Sequence, residues 1–258
     1  MRKIFEYFSR EIVLKRRLPK EFGADYIFVS PDSALRFWSY NIRKCEPILF
    51  RVCKEIVKPA SIVWDIGASF GLFSLSSAFL AGSSGRVVAI EPDLFCLDLL
   101  RRSVKEGKSK RAKIDILPIA ISNSVNISDF FIAKRGRSTS FLAGSSGTTD
   151  SGGIRETHSV LTVSLDWLLN YLPHPSVLKI DVECSEDRVL LGASKILKEI
   201  RPSIFCETTY GPLKTILECF KKNNYILYNI DAGLCQNVIA LPEEHPAINY
   251  PLSDFMKM

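Results

Sequence analysis

Val63-Trp64-Asp65-Ile66-Gly67-Ala68-Ser69-Phe70-Gly71 is the stretch on which the architecture turns. Its first half suits a buried strand interrupted by one acid, and its second half carries glycines spaced for a tight strand-to-helix turn. Gly67 permits a turn that a side chain would obstruct, and Gly71 lets the following helix start close to the strand. Ala68 and Ser69 are small and leave room for a ligand to approach the backbone, where helix N-terminal amides can meet a carboxylate or phosphate. An acid follows at a telling distance. Glu91 lies twenty residues after Gly71, at the end of the next apolar run, where a carboxylate can accept hydrogen bonds from both ribose hydroxyls of a nucleoside.

Strand and helix patterns alternate outward from this turn. Apolar runs predict strands at 61–66, 86–91, 114–121, 177–182, 203–207, 225–230 and 236–241, with helices between them. Pro47 opens a helix with Ile48, Leu49, Val52, Cys53, Ile56 and Val57 on one face, and a second helix runs over 70–81. Asp93 and Ser164 are placed to cap two more. Pro212 opens the last helix, and Asp231-Ala232-Gly233 reads as the turn between the final two strands. The regularity pauses between 122 and 163, where extra strands are expected at 127–133 and 160–163, around a Ser/Gly/Thr-rich loop over 136–153. The expectation is an α/β, Rossmann-like, doubly wound sheet, mostly parallel and seven-stranded, closed by an antiparallel C-terminal pair. Residues 1–45 read as an N-terminal extension and 46–258 as the main domain. Within the extension, Ile4, Phe5, Phe8 and Ile12 are spaced for one face of a helix, which either packs on the domain or contacts a partner or membrane surface.

Composition narrows the classes. The chain has 258 residues, 47% of them hydrophobic, yet no apolar run long enough to span a membrane. The N-terminus mixes charges with apolar residues, unlike a signal peptide, so the cytoplasm is the default expectation. Seven widely spaced cysteines without a Cys-x-x-Cys argue against a disulfide framework or a zinc site, and His158, His174 and His245 form no ligand pattern. Seven of the thirteen residues in 101–113 are basic, within a net charge of +6. That stretch would suggest RNA if read alone. It falls at a helix C-terminus and the entry to a strand, opposite the nucleotide end of the sheet, which suits a solvated face.

The glycine pattern also bears on which nucleoside binds. Leu72 stands where a dinucleotide fingerprint requires its third glycine. Asp65, just before the turn, would repel a pyrophosphate but suits a ligand carrying an amino group. S-adenosylmethionine, with an ammonium, a carboxylate and a sulfonium, fits better than a nicotinamide dinucleotide.

The chain also resembles a known family. Asp65 to Gly71, Glu91-Pro92, Ala120-Ile121-Ser122, Ser164-Leu165-Asp166, the block Leu178-Lys179-Ile180-Asp181-Val182-Glu183-Cys184-Ser185-Glu186, Leu191-Gly192-Ala193, Arg201-Pro202 and Glu207 are similar to the FkbM family of S-adenosylmethionine-dependent methyltransferases. The resemblance implies methyl transfer to a hydroxyl oxygen of a sugar or other small molecule. It places cofactor contacts at Asp65, Gly67, Ala68, Ser69, Gly71, Glu91, Pro92, Ala120, Ile121 and Asp181, and chemistry at Asp181 with Glu183, Lys179 and Glu207. Two positions depart from the family pattern. Ser69 replaces a common Asn, and Cys184 replaces a usual Gly, where a side chain alters the turn or narrows the pocket.

The Lys-Ile-Asp-Val-Glu block has a physical reading of its own. Side chains alternate faces along a strand, so Lys179, Asp181 and Glu183 share one face while the strand stays regular. A central parallel strand is normally apolar on both faces, and a buried unpaired charge is costly. Lys179 and Asp181 can supply each other, either as an ion pair bracing the sheet or as part of a catalytic end where Lys179 sets the charge of its neighbours. Asp181 and Glu207, on neighbouring strands, could also hold magnesium; a metal-free site is the favoured expectation. Tyr210 is placed either to orient an acceptor or simply to pack. Arg135, Arg137 and Arg155 flank the 136–153 loop, which reads as a lid meeting an acidic substrate or as a solvated linker. Three function classes stand: a methyltransferase acting on a small molecule or sugar, one acting on RNA or protein, and a non-catalytic module that binds the cofactor.

Overall fold

In the computed structural model, which describes residues 6–145, 151–208, 213–230, 236–245 and 256–257, the alternating apolar runs form one large sheet. Its parallel part comprises β3 (Ile62–Ile66), β4 (Arg86–Ile90), β5 (Lys113–Leu117), β10 (Val177–Ile180) and β11 (Ser203–Thr208), in the order β5-β4-β3-β10-β11. Antiparallel β13 (Gln236–Pro242) and β12 (Tyr225–Asn229) extend it beyond β11, and the short β14 (Met256–Lys257) pairs with β12 at the edge.

Side-chain alternation divides the core between the two faces. Val63, Val87, Val177 and Phe205 pack with α1 (Pro47–Ile56) and α2 (Leu72–Ala81). Trp64, Ile66, Val88, Leu178, Ile180 and Ile204 pack on the other side with Val189 of α4 (Glu186–Leu191) and Phe220 of α5 (Leu213–Lys222). The expected caps form. Asp93 accepts from Phe95 N at 2.9 Å at the start of α3 (Leu94–Glu106), and Ser164 Oγ accepts from Trp167 N at 3.2 Å.

The structure corrects several expectations. The run at 114–121 is not one strand: Pro118, which lacks an amide donor, separates β5 from β6 (Ala120–Ile121). β6 belongs to a separate four-stranded sheet with β7 (Asn126–Ala133), β8 (Phe141–Leu142) and β9 (Ile154–Val163), in the order β6-β9-β7-β8. The strand expected at 160–163 is therefore the end of a longer one, paired antiparallel with β7 along its length. Among the described residues the large sheet has eight strands rather than seven.

The extension also differs from its expectation. Among the described residues the N-terminal helical turn ends at Phe8, which is 69% exposed, and Ile12 lies beyond it, so the expected apolar stripe does not continue there. Ile4 and Phe5 lie outside the described residues, as do Tyr210, Pro212, the Asp231-Ala232-Gly233 turn, Cys235 and residues 146–150. In place of a long helix, β1 (Leu14–Arg17) and β2 (Tyr26–Val29) form an antiparallel hairpin that buries Ile27 and Val29.

Part of the basic stretch anchors this hairpin. The Asp25 carboxylate accepts from the Lys108 and Ser109 amides at 2.9 and 3.1 Å and pairs with Arg111 at 2.7 Å. Arg111 also donates to the Val104 carbonyl in the last turn of α3. Arg102 and Lys113 pair with Asp98 and Asp115. No helix among the described residues is long and apolar enough to cross a membrane, and no disulfide links the described cysteines.

Candidate active site

A cavity of about 510 Å³ opens where the C-terminal ends of β3, β4, β10 and β11 meet. Of the residues expected in the site, Gly67, Ala68, Ser69, Glu91, Pro92, Ala120, Ile121, Lys179, Asp181, Glu183 and Glu207 line it. Asp65 and Gly71 do not line it, and each acts at one remove.

The glycine turn is tightly determined. Gly67 has φ +73°, and a Cβ there would sit 1.8 Å from the Asp181 carbonyl oxygen, so only glycine lets the β3 turn lie against the end of β10. Gly71 has φ +89°, and its missing side chain makes room for Leu100 of α3. Beside this turn, Glu91 Oε2 accepts from Ser69 N and Oε1 accepts from Asp93 N, both at 2.8 Å. Burial, reinforced by the neighbouring Asp93 charge, pushes the Glu91 carboxyl up to about 7. The two amides fix its orientation, and each oxygen keeps a lone pair for a ligand hydroxyl.

Asp65 was expected to meet a ligand's ammonium; instead it faces Lys179. The parallel register puts Asp65 directly across from Lys179. The Lys179 ammonium lies 3.2 Å from Asp65 Oδ1 and 3.1 Å from Asp181 Oδ2, and donates to the Gly67 carbonyl at 2.6 Å. Ser74 Oγ donates to the other Asp65 oxygen at 2.6 Å. Burial disfavours the lysine charge, but Asp181 and Asp65 outweigh it and hold the ammonium above the ordinary lysine range. One buried cation thus ties the glycine turn to the ends of two strands.

The carboxylates gather beyond β10 and β11. The Glu207 carboxyl is pushed well up, first by the charge of Asp181 and then by burial. Glu183 is raised by burial and then by Asp181 and Glu207. β10 ends at Ile180, so the expected strand alternation stops there; a turn with Glu183 at φ +51° and Cys184 at φ +62° carries Glu183 to the cavity. Cys184 thus occupies backbone space that favours glycine. Among the described residues, no group of three or more His, Cys, Asp or Glu is placed to hold a metal ion.

Two of the three loop arginines, Arg137 and Arg155, are already paired within the protein. Arg137 Nη1 donates to both Asp93 oxygens at 2.9 and 2.8 Å, and its Nε donates to Asp32 at 3.0 Å. Arg155 donates to both oxygens of the same Asp32, at 2.9 and 3.1 Å. Opposite charges brought together from the extension, α3 and the smaller sheet neutralise one another. The sequence reading also missed cavity residues that reach the site from distant segments: Arg36, Phe37 and Glu46 from the N-terminal side, Phe130 and Leu142 from the smaller sheet, and Asn237 from β13. The Phe37 ring packs edge-on against Phe70 at 4.7 Å.

A parallel sheet closed by an antiparallel pair, with a glycine turn and a ribose-distance acid at its carboxyl end, defines the Rossmann-like class of S-adenosylmethionine-dependent methyltransferases. The buried Glu91 carboxylate and the side-chain-free Gly67 turn fit that cofactor. The chain belongs to the FkbM methyltransferase family: the model of the methyltransferase FkbM domain matches residues 65–227, more than half of its length. Solved structures with a similar fold include precorrin-6y C5,15-methyltransferase from Geobacter metallireducens GS-15, with a TM-score of 0.47, 13% identity, and coverage of 78% of this chain and 88% of that one. Methyltransferase FkbM from Methylobacillus flagellatus KT has a TM-score of 0.47 and 16% identity, covering 74% of this chain and 50% of that one. Fibrillarin from Aeropyrum pernix, solved with natively bound S-adenosyl-L-methionine, has a TM-score of 0.46 and 12% identity, with 76% and 74% covered. No curated protein matches the chain at a significant level.

Proposed function

We propose that the protein methylates a hydroxyl oxygen of a sugar or other small molecule, using S-adenosylmethionine. The observation that carries this reading is Asp181, whose side chain is 26% exposed at the cavity and lies beside the anchored Lys179 and beside Glu207, whose carboxyl the Asp181 charge and burial push up. Glu91 would take the ribose hydroxyls, Ala68 and Ser69 would bring backbone close to the ligand, and Pro92, Ala120 and Ile121 would flank the base. Bound S-adenosylmethionine supplies an electrophilic methyl group. The chain's own residues then have two tasks. They hold the acceptor oxygen in line, which alone can contribute up to about 7–11 kcal/mol, and they receive its proton. Asp181 takes that proton, with Glu183 and Glu207 as its reserve, and Asp65 and Lys179 position it. Magnesium has no step in this scheme. The catalytic unit is 46–258, with 1–45 as an extension that contributes cavity wall.

The experiment is transfer of labelled methyl from S-adenosylmethionine to small-molecule fractions of a cell extract. Asp181→Asn should abolish turnover while S-adenosylhomocysteine affinity stays within a few-fold. Full activity in that variant would defeat the assignment, and cofactor binding without turnover in the unaltered protein would favour a non-catalytic module.

A further inference from the structure

The wall of the cavity nearest the carboxylates comes partly from the N-terminal extension. Arg36 and Phe37 sit on the single 3-10 turn Leu35–Trp38 and both line the cavity. That turn is held from both sides. Arg16 of β1 donates from Nε to the Ser39 carbonyl at 2.8 Å and from Nη2 to the Trp38 carbonyl at 3.0 Å. On the inner side, Phe37 packs on Phe70, and the Cys45 thiol donates to the Arg36 carbonyl at 3.2 Å. The Arg36 guanidinium pairs with Glu46, the residue before α1, which lines the same cavity. Burial raises the Glu46 carboxyl, Arg36 opposes that rise, and Asp181, which lines the same cavity, adds its charge to it.

Among the described residues, the cations lining the cavity are Arg36, Arg137 and Lys179. Arg137 is neutralised by Asp32 and Asp93, and Lys179 is held by Asp65, Asp181 and the Gly67 carbonyl. Arg36 differs because its side chain is 52% exposed and its Glu46 partner 23% exposed. A ligand can therefore share this pair without stripping a buried charge of its partner.

We infer that Arg36 and Glu46 read the acceptor as a specificity-determining pair, and that they select a neutral polyhydroxyl compound. This inference rests on the methyl-transfer reading. A guanidinium only donates and a carboxylate only accepts. Adjacent sugar hydroxyls satisfy both, one oxygen accepting from Arg36 and the neighbouring O–H donating to Glu46. An anionic acceptor would have to compete with Glu46 for Arg36 and would face the Asp181 side chain. A cationic acceptor would have to compete with Arg36 for Glu46.

The test offers the protein tritiated S-adenosylmethionine with methyl glycosides of neutral hexoses and 6-deoxyhexoses, of uronic acids, and of amino sugars, in separate reactions. Neutral glycosides should be labelled, and uronates and amino sugars should not. Arg36→Ala and Glu46→Gln should each raise KM for the labelled glycoside by about tenfold or more, as loss of a charged hydrogen bond requires. Turnover at saturation, S-adenosylhomocysteine affinity and melting temperature should stay close to the unaltered protein, and Arg36→Lys should recover only part of the loss, having the charge without the fork. Unchanged KM in both variants, or preference for the uronates or the amino sugars, would overturn the inference. So would the absence of labelling by a protein that still binds S-adenosylhomocysteine. Failure to bind S-adenosylhomocysteine would instead remove the methyl-transfer reading beneath it.

Discussion

Glu91→Gln changes one atom of a buried carboxylate and probes the whole nucleoside end of the cavity. Both oxygens are already oriented, one by the Ser69 amide and one by the Asp93 amide at 2.8 Å. Glutamine keeps one acceptor and turns the other atom into a donor that faces a backbone N–H. A hydrogen bond to a charged group is worth about 1.5–3 kcal/mol, so affinity for S-adenosylhomocysteine should fall about 10- to 150-fold. A pH dependence should accompany the loss. Burial and the Asp93 charge put the free carboxyl at about 7, and only its ionised form accepts from both ribose hydroxyls. Affinity of the unaltered protein should therefore rise about tenfold from pH 6 to pH 8, while the variant stays flat. The stability effect of the same group runs the other way. Its folded pKa lies above the unfolded one, so its contribution is complete below the ordinary glutamate range and is lost as pH rises through about 7. Isothermal calorimetry across that range is the assay. A variant that binds as the unaltered protein does, or an unaltered protein indifferent to pH, would refute the ribose assignment.

Arg137→Met should destabilise the fold by about 3–5 kcal/mol in urea unfolding, because Asp32 and Asp93 lose a buried partner; a negligible change would show that Arg155 and solvent suffice. Cys184→Gly removes a side chain from φ +62° and should gain up to about 1 kcal/mol. A lowered melting temperature would mean that the thiol's packing outweighs the backbone strain. Combined reversal of Arg101, Lys105 and Lys110 to Glu should leave turnover unchanged, since these residues do not line the cavity. A large loss recovered at low salt would point to a polyanionic acceptor.

The nucleotide end of the fold was legible because its constraints are local. Gly67 and Gly71 take backbone angles that other residues resist, and Glu91 follows at the end of the next strand. The partner of Asp65 was not legible, because the parallel register that sets it across from Lys179 depends on how two distant strands slide past each other. Period-two burial at Ile27 and Val29 was present but masked by the charged β1, so a hairpin was read as part of a helical extension. Arg36 and Glu46 had no local signature at all. Tertiary packing alone carries them to the cavity that Asp181 and Glu207 line, just as it pairs Arg137 and Arg155 with Asp32.

The most direct test of the central claim is a crystal structure of the protein with S-adenosylhomocysteine. The ribose assignment puts the ribose hydroxyls on the Glu91 carboxylate, the nucleoside against the Gly67 turn, and the sulfur end toward Asp181. A nucleoside bound elsewhere, or one reversed in the cavity with its ribose on Asp181 and Glu207, would contradict it.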